Sequence, residues 1–79
     1  VSQWDAEETA ILEHVYLGKN HVGIVFYYAS HCEAVPDDPE SITYGFMSPG
    51  DAAYWMRLRI ASVDAASVWA DRHSLGPVM

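Results

Sequence analysis

Hydrophobic spacing along the chain changes period several times, and each change marks an element. In "HVGIVFYYAS" β-branched and aromatic residues fill both alternating sets, Val22/Ile24/Phe26/Tyr28 and Gly23/Val25/Tyr27/Ala29, the pattern of a central strand. "SITYGFM" sets Ile42, Tyr44 and Phe46 against Ser41, Thr43, Gly45 and Met47, which predicts an amphipathic strand. Period two also sorts Tyr54, Met56, Leu58 and Ile60 from Trp55, Arg57 and Arg59, so a third strand is expected there, with "SPGD" as the turn before it. The rival for this segment is a helix entered through Ser48 with Pro49 in its first turn, but the apolar residues make no stripe on a helical wheel.

Both ends read as helices. In residues 2–17, Ser2 or Asp5 can cap, Asp5 and Glu8 have capping-box spacing, and Trp4, Ile11, Leu12, Val15 and Tyr16 gather on one side, with Gly18 placed to end the helix in a left-handed conformation. A hairpin, with residues 9–17 as a strand turning through "GKN", is the competing pattern. In "SVDAASVWADRHSLGP" Ser62 can cap, Asp64 lies in the first turn and His73 in the last, Gly76 and Pro77 stop the helix, and Ala65, Val68, Trp69 and Leu75 form its inner side.

The expected fold is therefore α+β, one small domain over residues 1–79 in the order αβββα, with two helices packed on one face of a three-stranded antiparallel sheet. Ile42, Tyr44, Phe46, Met56, Leu58 and Ile60 would lie beneath the helices; ββββα, or αββα with one long C-terminal helix, are the alternatives. The αβββα order is similar in topology to double-stranded RNA-binding domains. Where those domains open their last helix with a basic cluster this chain has "SVDAAS", so their function is not carried over.

Composition narrows the function classes. With 51% hydrophobic residues, 79 residues can form a small core, burying roughly 60% of the unfolded surface. Eleven carboxylates against four basic residues give a charge of −7, which repels phosphate backbones and disfavours double-stranded nucleic acid. Cys32 has no cysteine to pair with, the longest apolar run is too short for a membrane span, and the first residues lack the pattern of a signal peptide. The expectation is a soluble, cytoplasmic chain.

The densest chemistry lies in "YASHCEAVPDDPE". His31, Cys32 and Glu33, with His14, His21 or His73, lack the paired-ligand spacing of zinc sites, so neither metal nor cofactor is expected. Adjacency of His31 and Cys32 does not place a base against a thiol, and no glycine-rich phosphate cradle occurs; a non-enzyme is expected. Pro36 and Pro39 stiffen a loop whose Glu33, Asp37, Asp38 and Glu40 would offer a secondary acidic contact to basic groups. The main site expected is Tyr27, Trp55, Arg57 and Arg59 on the open sheet face, because Trp, Tyr and Arg dominate interface hot spots.

Together these features predict a protein-binding regulator or inhibitor, of the kind phage and mobile elements encode, occupying a surface of another protein or complex. Self-association through the same face is a further use. Stacking of single-stranded nucleic acid on Tyr27 and Trp55, with Arg57 and Arg59 at the phosphates, is the main alternative. An acidic nucleic-acid mimic and a small metal- or cysteine-dependent enzyme stand behind it.

Overall fold

A computed structural model describes residues 11–78. Two strands open it, β1 (Ile11–Leu17) and β2 (Asn20–Tyr27), joined by a two-residue turn in which Gly18 takes a φ of 63°. That left-handed conformation at the first turn position suits the twist of a tight hairpin and favours glycine. After β2 come β3 (Cys32–Pro36) and β4 (Tyr44–Phe46), then α1 (Pro49–Ala61), α2 (Val63–His73) and the short β5 (Gly76–Pro77). Among the described residues the five strands form one antiparallel sheet in the order β1-β2-β3-β4-β5.

One face of that sheet carries the core. Register places Val15, Gly23 and Pro36 in one row across the strands, Val25 and Ala34 with Tyr44 in the next, and Tyr27, Cys32 and Phe46 in a third. Helix α1 lies over these rows and buries Ala52, Trp55 and Met56 against them, at i, i+3 and i+4. Phe46, Met56 and Val25 are the largest fully buried side chains. Gly23 is a close approach: a Cβ there would clash with Met56 Sδ and lie 2.7 Å from the Val35 carbonyl oxygen. Helix α2 packs on α1 through the small residues Ala66 and Ala70, and Phe46 reaches its Trp69 with ring centroids 5.9 Å apart.

The expected α+β class holds; the expected order does not. Residues 11–17 are a strand rather than the second half of a helix, as the hairpin alternative had it, while Ser2, Trp4, Asp5 and Glu8 lie outside the described residues. Pairing of Ile11–Leu17 with β2, interrupted once between Val15 and Tyr16, satisfies the backbone of this segment in the sheet and overrides its helical spacing. Residues 54–60 are helical, within an α1 capped by Ser48, whose Oγ accepts from Gly50 N at 3.1 Å, with Pro49 in the first turn. Met56 belongs to the core as expected, but Ile42 and Ile60 are exposed. Residues 32–36, expected in a loop, form β3 with Cys32, Ala34 and Pro36 facing inward. With a five-strand sheet and two consecutive C-terminal helices, the topological similarity to double-stranded RNA-binding domains lapses.

Candidate binding faces on either side of the sheet

The helical conformation of residues 54–60 separates the four residues expected to share an open strand face. Trp55 is buried: its ring centroid is 4.9 Å from Tyr44 and 5.8 Å from Phe46, and its Nε1 has no hydrogen-bond partner. Arg59 folds back over that indole, its Cζ 5.6 Å from the ring centroid, with Nη2 3.7 Å from Asp38 Oδ2. Tyr27 and Arg57 make a separate pair, on the helix side of the sheet. Both line a cleft of about 290 Å³ between the β1–β2 hairpin and α1, with Glu13, His14, Val15, Pro49, Gly50 and Ala53. Tyr27 Oη donates to Glu13 Oε1 at 2.5 Å, and this bond, the largest of several causes, raises the phenol above its ordinary pKa. Arg57 Nε donates to the Tyr16 carbonyl at 2.7 Å. Trp55 and Arg59 are thus corrected from surface contacts to parts of the packed interior and its edge, and the aromatic platform required for base stacking is not formed.

The opposite sheet face holds a second arrangement that no spacing rule announced. Residues alternating with the core rows put Leu12 beside Phe26 and Glu33, and His14 beside Ile24 and Val35. No described helix lies over them. Leu12 and Tyr16 are about half exposed, and Ile24, Phe26 and Val35 are partly so. Near Val15 the register skips one residue of β2, so that Tyr16 opposes His21 and both histidines reach this face. His14 Nδ1 is 2.8 Å from His21 Nε2, and His21 Nδ1 is 2.6 Å from Asp37 Oδ2. Tyr16 stands edge-on to the His21 ring at 5.2 Å.

The proton positions in this chain follow from its partners. An ionised Asp37 can only accept, so His21 carries its proton on Nδ1; neutral His21 then accepts at Nε2 from His14 Nδ1–H. The His14 Nε2 lone pair is left outside the chain.

The acidic residues do not act as one patch. Glu33 is on the open face, 3.3 Å from His31 Nε2, and Asp37 ends the histidine chain. Asp38 holds the turn by accepting from Glu40 N at 3.0 Å while facing Arg59, and Glu40 is exposed. Cys32 is buried, and burial pushes its thiol up, which makes it a poor nucleophile near neutrality. Among the described residues no cluster of three or more His, Cys, Asp or Glu is placed to hold a metal ion, and no helix is long and apolar enough to cross a membrane. No family model, curated protein or solved structure matches the chain.

Proposed function

We propose that this chain is a non-enzymatic protein-binding regulator or inhibitor that docks on a partner through the sheet face opposite α1. The observation that supports the reading is the composition of that face: an apolar centre of Leu12, Ile24, Phe26 and Val35 edged by Tyr16, His14, His21 and the carboxylates of Glu33 and Asp37. An apolar middle with a polar rim is how protein interfaces are built. The occupant is a protein surface with an apolar patch ringed by Lys or Arg, because the rim is acidic and the chain carries a charge of −7. Attraction of that sign raises the association rate and weakens with added salt.

The test pairs Leu12→Asp and Tyr16→Asp with Val68→Asp, an exposed change on α2. Binding partners from the source cell are captured on the parent chain and their affinities measured for each variant. Loss of a central contact costs about 2 kcal/mol or more, or roughly thirtyfold in affinity. The expected result is that loss for Leu12→Asp and Tyr16→Asp, none for Val68→Asp, and binding that falls as salt rises. Undiminished binding by both sheet variants overturns the reading, and a concentration-dependent dimer abolished by the same variants would identify the partner as a second copy.

A further inference from the structure

On the other side of the sheet, the cleft between the β1–β2 hairpin and α1 presents two opposite charges that do not neutralise each other. Glu13 is held by the Tyr27 phenol through Oε1, and Arg57 is held by the Tyr16 carbonyl through Nε. No ion pair joins Glu13 to Arg57, although both line the same space of about 290 Å³. Each anchor uses only part of its group. Glu13 keeps Oε2, and Arg57 keeps both Nη groups, the planar fork that suits a carboxylate. Val15, Pro49 and Ala53 supply apolar wall between them.

We infer that this cleft is a binding site for a small zwitterion, a free α-amino acid, with its carboxylate on the Arg57 Nη fork and its ammonium on Glu13 Oε2. The cavity is at the small end of the range for ligand pockets, roughly 300 Å³ and upward, which fits a ligand of that size better than a peptide. An anion alone would leave Glu13 unmatched and be repelled by it; a cation alone would meet the same problem at Arg57. A zwitterion answers both charges at once. Anchors fixed beforehand by Tyr16 and Tyr27 lower the ordering cost of binding. The site lies on the face opposite the proposed docking surface and does not depend on it.

The experiment is a titration of the ¹⁵N-labelled chain with a panel of amino acids, followed by amide shifts at Glu13, Gly50, Ala53 and Arg57. Two probes accompany each amino acid, its carboxamide and its N-acetyl derivative, together with a dipeptide of the same residue. At least one free amino acid should saturate these shifts with a dissociation constant on the order of 10 mM or below, the affinity left to two charge-assisted contacts with exposed groups. Carboxamide, N-acetyl derivative and dipeptide should each bind about tenfold or more weakly. Arg57→Gln and Glu13→Gln should weaken the free amino acid by a similar factor, while Leu12→Asp should leave it unchanged. Absence of saturable shifts across the panel overturns the assignment, as does equal binding by the carboxamide or the N-acetyl derivative, a comparison made on the parent chain and independent of how the variants fold.

Discussion

Gly23 shows how one missing side chain fixes the distance between sheet and helix. With a Cβ, this position would press on Met56 Sδ from one side and on backbone atoms of Val35 and Pro36 from the other. The thioether can yield; the backbone of β3 cannot do so without disturbing the ladder. Gly23→Ala is therefore expected to destabilise the fold by about 1–3 kcal/mol, the usual cost of overpacking, measured as a lower urea midpoint at unchanged slope. A midpoint equal to or above the parent's would mean that α1 shifts freely over the sheet. Tyr27 makes a separate prediction. Its phenol is held protonated first by the bond to Glu13, then by burial and by the Glu13 charge, so its ionisation is expected above that of a free tyrosine, and Glu13→Gln should bring it down. The sign for stability follows: a pKa raised in the folded state contributes stabilisation that is complete below the unfolded value near 10 and is lost as pH rises through the folded one. Ultraviolet titration of parent and variant at the tyrosinate band checks it; coincident curves would remove Glu13 as the cause.

Among the elements, what was legible in the sequence depended on whether one residue pattern had one physical cause. β2 was plain because it is central, flanked by β1 and β3, and so apolar on both sides. α2 was plain in its existence and its start, because Ser62 caps it, accepting from Ala65 N at 3.1 Å, and charges of the right sign stand at each end. Its inner side was not, since Ala66 and Ala70 are buried while Ala65, Val68 and Leu75 are exposed, and Gly76 and Pro77 pair in β5 beyond a helix that ends at His73. α1 was obscure because its buried stripe is narrow and chemically mixed: Ala52, Trp55 and Met56 continue into Arg59, while Tyr54 and Leu58 are apolar for another reason, lining the recess beside Trp69 of α2. Two apolar faces on different sides of the helix imitate alternation. β1 was ambiguous since Gly18 has the same left-handed conformation at a helix end and in a hairpin; the conformation was foreseeable, its host was not. For the site, Tyr27 and Arg57 were singled out by residue type, but Glu13, His14 and His21 join their neighbours only through strand pairing, at separations of up to 16 residues that no local spacing encodes. The junction between the helices yields the next prediction. Ser62 caps both, donating its N–H to Leu58 O at 2.8 Å while its hydroxyl serves Ala65, so Ser62→Ala should lower stability by about 1 kcal/mol and Ser62→Gly by less. Equal losses for the two would point to packing rather than capping.

At the scale of the whole molecule, the chain closes on itself through its last described residues. α2 leans on α1, and the chain then returns to the sheet, where Leu75 N donates to Gly45 O and Val78 N to Thr43 O, both at 2.7 Å, while β5 pairs with β4. That return gives the helical layer a second tie to the sheet, at the strand on which Trp55 of α1 packs. It also covers one side of β4, a strand of only three residues that otherwise pairs with β3 alone. A chain ending after Ser74 therefore loses the Leu75–Gly45 and Val78–Thr43 backbone hydrogen bonds together with the β4–β5 pairing, exposes the β4 edge and leaves α2 held by Ala66, Ala70 and Trp69. Each such bond contributes about 1 kcal/mol net, so a loss of at least about 2 kcal/mol is expected, a large part of the margin in a domain this small. The loss should be unevenly distributed. Amides of α2 and of Tyr44–Phe46 should exchange faster than in the parent, while those of the β1–β2 hairpin, which the truncation does not touch, should slow or quicken only with the global stability. Hydrogen exchange on parent and truncated chains at matched temperature separates these cases. Uniform acceleration would show that sheet and helices open as one unit, and an unchanged α2 would show that its hold on α1 is sufficient without the return.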